Sequence, residues 1–243
     1  MTAEFWVAVG QIIMIDILLG GDNAVVIALA CRKLPAKQRT KGIVWGTAGA
    51  IVLRVILIFF ALTLLAIAFL KIVGALLLLW IGVKLLAPDD EAESHVKIAG
   101  NDKLWGAVKT VIVADLVMSL DNVVAIAAAA QGAHADHHML LVIFGLLVSI
   151  PIIVWGSQMV LKLMDRFPVI ITAGGMLLGW IAGTMLISDP VLANPDVWQQ
   201  VPKIPKGDWV GYAAGIAGAV LVLGVGKWLA ARRATAADTT ANV

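Results

Sequence analysis

Two Asp-Asn pairs stand inside otherwise apolar text: Asp22-Asn23 within GGDNAVVIALA and Asp121-Asn122 within SLDNVVAIAAAA. Each follows another aspartate six residues earlier, Asp16 and Asp115. Four carboxylates and two amides offer oxygen donors only, and neither motif holds a Cys or a His. That donor set suits a hard divalent cation such as Mg²⁺, Ca²⁺ or Mn²⁺ and argues against Cu⁺ or structural Zn²⁺. Asp16 and Asn23 are seven residues apart, so on a helix they share a face. Asp22 points about 100° away from Asn23 on an unbroken helix. Gly20-Gly21 just before it would let the backbone unwind there, swinging the carboxylate inward and exposing carbonyls as further ligands. The second motif has Ser119-Leu120 at that place, so a break is less evident.

The elements that carry these residues must lie in a membrane. Of 243 residues, 61% are hydrophobic and 14% charged, and the mean hydropathy is +0.96. A soluble domain of this length covers itself with about a quarter charged residues. The apolar residues come in blocks long enough to span a bilayer, about 20 residues each. They predict spans at 5–30, 43–69, 72–87, 106–130, 139–162, 169–187 and 209–230, with the second-to-third boundary near Lys71 the least defined. The fold class expected is an all-α membrane protein of about seven helices. Glu4 and the lack of a basic N-terminal stretch make the first block a span and not a cleaved signal. The lone Cys31 excludes an internal disulfide. Residues 31–42 hold Arg32, Lys33, Lys37, Arg39 and Lys41 with no acid, which puts that loop in the cytoplasm. The N-terminus is then outside and the C-terminus inside, in agreement with Lys162, Arg166, Lys227, Arg232 and Arg233.

Shifting the chain by 99 residues lays Trp6 on Trp105, Asp16 on Asp115, Asp22 on Asp121, Asn23 on Asn122 and Gly46 on Gly145. With one residue of slip, Trp80 meets Trp180. Each repeat holds three spans, and an odd number inverts the second copy. The organisation expected is one transmembrane domain over 1–243: repeat one 5–87, repeat two 104–187, an extra helix 209–230, and a disordered tail 234–243. Inverted repeats of this kind are a plan of secondary transporters, with the site near the midplane. An Asp at a span centre costs roughly 2.5–3.5 kcal/mol on insertion scales, so four cost at most roughly 10–14 kcal/mol. A bound cation would offset that penalty.

Other residues have competing readings. Arg54 lies midway along the second span, opposite Ile153 in the repeat. It is either an internal counter-ion for the carboxylates or an arginine held by backbone carbonyls. Lys84, opposite Thr184, reads as snorkelling to the surface. His134, His137 and His138 form an extracytoplasmic loop, read first as solvated and second as a metal-handling loop. Pro151 is expected to kink the fifth span. Trp6, Trp105 and Trp209 sit at span ends, as interfacial anchors do.

At the two Asp-Asn motifs the sequence resembles the TerC family of integral membrane proteins, over about residues 5–187. The resemblance implies Mn²⁺ homeostasis, chiefly Mn²⁺ efflux across a bacterial inner membrane by alternating access. It implies the short form without soluble domains, and site residues Asp16, Asp22, Asn23, Asp115, Asp121 and Asn122. The residues themselves imply only a hard divalent cation, with Ca²⁺ the nearest competitor. No enzymatic activity and no permanently bound cofactor is expected. The partners are the bilayer and the metal ion, with a homo-oligomer left open and no nucleic acid. The rival functions are an exporter of small organic cations or amino acids and a non-transport accessory factor. An intramembrane aspartyl protease is the weakest, since no separate glycine-aspartate partner motif appears.

Overall fold

The structure, a computed structural model, describes residues 10, 11, 13, 14, 21–60, 67–87, 100–131, 138–193 and 207–241. For 100, 101, 121, 123–131, 138–142, 193, 208 and 233–241 it describes the backbone alone. The described residues form helices joined by turns, with no strand among them: α1 Gly21–Cys31, α2 Ala36–Phe59, α3 Leu70–Leu86, α4 Gly100–Gln131, α5 His138–Arg166, α6 Val169–Ile187, α7 Pro190–Ala193 and α8 Asp208–Ala241. Four stretches among them are long and apolar enough to cross a membrane: Ala36–Phe59, Ile143–Arg166, Val169–Ile187 and Trp209–Arg232. Large apolar side chains such as Trp45, Val52, Phe59, Trp155 and Val220 stay exposed on the helices, as lipid-facing residues do. Trp105 and Trp209 are exposed as well.

Several boundaries differ from expectation. The second span ends at Phe59 and not at 69, and the chain leaves the helix at Phe60 with φ −101° and ψ 10°. Helix α3 begins after Phe69, which has a left-handed φ of 66°. The expected disordered tail is replaced by a continuation of α8 to Ala241. Helix α5 passes through Pro151 without ending. Two residues before the proline, Ser149 Oγ donates to the Leu146 carbonyl at 2.8 Å.

The chain divides into two compact units that do not follow the sequence halves. Unit 1 takes Met1–Ile67 and Gly100–Arg166, hence α1, α2, α4 and α5. Unit 2 takes Ala68–Ala99 and Phe167–Val243, hence α3, α6, α7 and α8. The third helix of each expected repeat thus joins the extra helix.

In unit 1, α1 returns into α2 through residues 32–35, a connection short enough to make the two antiparallel neighbours. Helices α2 and α4 pack in parallel: Gly46 meets Val111, Gly49 meets Ile112, and Leu57 meets Leu116. Helices α1 and α4 therefore run in opposite directions, the relation an inverted pair requires. The contact is close because α2 presents glycines. A Cβ on Gly49 would lie 2.5 Å from Ile112 Cδ1. At one end Arg39 ties the α1–α2 connection to α5: Nη1 bonds Asp165 at 2.7 Å, and Nε and Nη2 donate to the carbonyls of Leu34 and Arg32.

Unit 2 is a bundle packed on small residues. A Cβ on Gly179 would strike the Gly218 carbonyl, and one on Gly183 the Ala214 carbonyl. Helices α6 and α8 therefore cross backbone to backbone, a mode of association that small residues permit inside membranes. Trp180 lies over Gly215, and its ring centroid is 6.0 Å from that of Tyr212. Leu86 of α3 fills the space beside Gly175 and Gly226.

Candidate metal centre

The site begins with one buried ring of side chains. Arg54, on the inward face of α2, is 2% exposed, and Asp115 of α4 is 5% exposed. Arg54 Nη2 donates to Asp115 Oδ1 at 2.5 Å. Arg54 Nε donates to Ser119 Oγ at 3.1 Å, and Ser119 Oγ donates to Asp115 Oδ2 at 3.1 Å. Ser119 lies one turn after Asp115 on the same helix, the spacing at which helical side chains meet. The result is a closed ring of three residues in which both carboxylate oxygens are engaged. Charge-assisted bonds of this kind are the strong ones. The parallel packing of α2 on α4 sets the ring, since it levels Arg54 with Asp115 and Ser119.

Helix α1 brings the second set of donors. Asp22 stands in its first turn, and its Oδ1 accepts the Asn23 backbone N–H at 2.8 Å. A carboxylate over the first N–H groups of a helix is favoured by the helix dipole. Asp22 interacts electrostatically with both Asp115 and Arg54. Asp22, from the first Asp-Asn half of the sequence, thus lies within electrostatic reach of the Arg54–Asp115 pair. Next to Asp22 in the chain, Asn23 is 2% exposed, and neither Oδ1 nor Nδ2 of its amide has a hydrogen-bond partner among the described residues. An orphaned pair costs roughly 1–3 kcal/mol per group. Thr47 Oγ1 on α2 is likewise buried with no partner among the described residues. Among the described residues of unit 1 the buried polar set is Asn23, Thr47, Arg54, Asp115, Ser119, Ser149 and Ser157.

The structure therefore brings Asp115 and Arg54 into direct contact, with Asp22 within electrostatic reach and Asn23 next to it on α1. Asn122 is partly buried on α4. The Asp121 backbone belongs to α4, but its side chain lies outside the described residues, as do Asp16, His134 and His137 altogether and the side chain of His138. No group of three or more His, Cys, Asp or Glu gathers among the described residues. Arg54 has carboxylate and hydroxyl partners, as a counter-ion does. Lys84 is exposed, with its ammonium 4.9 Å from the Trp80 ring centroid, which agrees with the snorkelling reading. Sequence reasoning passed over Ser119 as a partner, although its i+4 relation to Asp115 signals one. It gave no reason to select Thr47.

A family model, described as the integral membrane protein TerC family, matches residues 1–235. The chain belongs to the TerC family. This TerC protein is 41% identical over 193 residues to the membrane protein YjbE of Bacillus subtilis (strain 168), covering 79% of this chain and 85% of that one. It is 28% identical over 184 residues to the membrane protein YceF of the same organism, covering 73% and 69%. To the UPF0053 inner membrane protein YgdQ of Escherichia coli (strain K12) it is 22% identical over 178 residues, covering 67% and 73%. No solved structure matches it. It is an integral membrane protein.

Proposed function

We propose that this TerC protein is a carrier, not an enzyme, that moves a hard divalent cation, foremost Mn²⁺, out of the cytoplasm across the bacterial inner membrane. One observation carries the reading: Asp22 lies within electrostatic reach of the buried Arg54–Asp115 pair, so that both halves of the sequence contribute a carboxylate, and the neighbouring Asn23 amide is buried with no hydrogen-bond partner among the described residues. Two carboxylates against one positive charge leave room for a cation, and the Asn23 oxygen is a neutral ligand with no other partner among the described residues. Asp16, Asp121 and Asn122 complete the oxygen set on this reading. A seven-span inverted plan, with the N-terminus outside and the C-terminus in the cytoplasm, gives access from alternate sides. An all-oxygen site with six candidate ligands opposes the ordinary preference for Zn²⁺ over Mn²⁺, because Zn²⁺ favours four ligands and softer donors.

The test is Mn²⁺ flux in vesicles of known orientation, with and without a pH gradient, with Mg²⁺, Ca²⁺ and Zn²⁺ as competitors. Saturable Mn²⁺ efflux that Zn²⁺ inhibits poorly is expected. Flux of organic cations or amino acids without Mn²⁺ flux would replace the reading. Cysteine labelling at residues 38 and 133 should report opposite sides, and same-side labelling would end the inverted plan.

A further inference from the structure

The Arg54–Ser119–Asp115 ring is not duplicated. The repeat places Ile153 opposite Arg54 and Gly20 opposite Ser119, whereas the carboxylates and amides recur. A group that belonged to the cation's ligand cage would be expected on both halves. The ring is formed once, by Arg54 of the first repeat with Asp115 and Ser119 of the second, and it engages both oxygens of Asp115, a candidate ligand carboxylate buried in the core. Resting on the cation-carrier reading, we propose that Arg54 is a tethered competitor for the cargo: its guanidinium and the transported cation take Asp115 in turn, and Ser119 is the positioning residue that returns the guanidinium to the carboxylate.

The chemistry runs as follows. A divalent ion and a guanidinium on one carboxylate repel each other, and in a low-dielectric interior that repulsion is large. Cation entry therefore goes with withdrawal of Nη2 from Asp115 Oδ1. When the cation leaves, an uncompensated buried carboxylate would be costly. Arg54 re-forms the pair and removes that cost, so the carrier is ready to turn over without cargo on Asp115. Arginine suits the task because it stays protonated and presents a planar fork, one arm to the carboxylate and one to the serine. The Ser119 hydroxyl accepts from Nε while donating to Asp115 Oδ2. The swap thus needs no proton to move.

Mn²⁺ titration and Mn²⁺ flux are to be measured on the purified full chain as the unmodified protein and as Arg54→Met, Arg54→Lys and Ser119→Ala. A charge-assisted hydrogen bond that must break before the ion binds weakens binding about tenfold. Arg54→Met is therefore expected to bind Mn²⁺ about tenfold more tightly or better, while its maximal flux falls because release stalls. Ser119→Ala keeps both charges and is expected to bind a few-fold more tightly, with flux reduced in proportion. Arg54→Lys, a point charge without the fork, should fall between the unmodified protein and Arg54→Met. If Arg54→Met does not insert, the other two variants carry the test, since both retain the positive charge. A merely structural ring would lower affinity and recovered protein together. Unchanged or weaker Mn²⁺ affinity in Ser119→Ala and Arg54→Lys, with saturable binding in the unmodified protein, overturns the competition alone. Absence of saturable binding and flux in the unmodified protein overturns the carrier reading, and the competition with it.

Discussion

The two units solve the same packing problem with opposite interiors. In unit 2 the helices approach through glycines. Gly179 and Gly183 of α6 lie against the backbone of α8 at Gly218 and Ala214, and the one buried polar side chain among the described residues is Asp189, at the end of a helix. Unit 1 also uses glycines, at Gly46 and Gly49, yet it buries a guanidinium, a carboxylate, an amide and several hydroxyls within its helices. Two of those groups, Asn23 and Thr47, have no partner among the described residues. Packing alone is served by the interior of unit 2. On the carrier reading proposed above, the polar interior of unit 1 is a cost retained for chemistry.

Asp189 shows what a carboxylate does when its role is structural. Its two oxygens accept backbone N–H groups of Phe69, Lys71, Ile72 and Val191 at 2.9–3.3 Å. It caps α7 locally and α3 from 117 to 120 residues away. Every lone-pair direction finds a fixed donor. By contrast, Asp115 is held by two side chains, Arg54 and Ser119, and Asp22 lies within electrostatic reach of that pair, so the two types of acid should respond differently to substitution.

The largest effect is expected at Asp115→Ala, which leaves Arg54 buried without its carboxylate. Removing one partner of a buried pair costs about 3–5 kcal/mol, and Mn²⁺ flux in proteoliposomes should vanish in whatever protein inserts. Normal flux would show that Asp115 is not a ligand. Next is Gly183→Leu, whose new side chain would meet the Ala214 carbonyl. Backbone cannot give way, so a loss of about 3 kcal/mol is expected, near the upper end for overpacking. The thermal midpoint in detergent should fall while the Mn²⁺ affinity of the folded fraction is unchanged.

These contrasts also show what the sequence could reveal. Aspartates in apolar text are conspicuous because their cost is local to their own span, so Asp22 and Asp115 were legible. The asymmetry of Arg54 against Ile153 was legible too, but its partner was not, because helix registry across α2 and α4 fixes it. The start of the third helix near Lys71 was legible, but the end of the second at Phe59 was not, since residues 51–69 hold no Gly or Pro and read as one apolar run. What starts α3 is Asp189, which is remote in sequence. The local signal at Asp189-Pro190 was available: an N-cap aspartate followed by proline at the first helical position. The helical tail after 230 was hidden by its small polar residues, which resemble a linker in composition.

A smaller effect is expected at Asp189→Ala, which strips the cap from α3 and α7 and should cost roughly 1–3 kcal/mol. Thermal unfolding should register it, with Mn²⁺ binding by the folded protein unaltered; a loss of binding there would erase the distinction between structural and ligand carboxylates. The smallest concerns Arg39→Ala. Its partner Asp165 is 52% exposed, and exposed pairs contribute about 1 kcal/mol or less. A thermal shift of a few degrees or less should follow, with flux retained. A large loss of flux would mean that this contact gates the path.

The central claim, that the buried carboxylates of unit 1 hold the cation and those of unit 2 do not, is tested most directly by one calorimetric Mn²⁺ titration run on three proteins. These are the unmodified chain, Asp115→Asn and Asp189→Asn. Asn keeps the shape at both positions, removes the charge and exchanges one acceptor oxygen for an NH₂ in each case, so the two variants differ only in where the change falls. Saturable binding is predicted in the unmodified chain and in Asp189→Asn alike, and binding about 100-fold weaker in Asp115→Asn, the loss expected for about 2.7 kcal/mol of carboxylate–cation interaction. Equal binding in all three, or binding lost in Asp189→Asn and kept in Asp115→Asn, would contradict it.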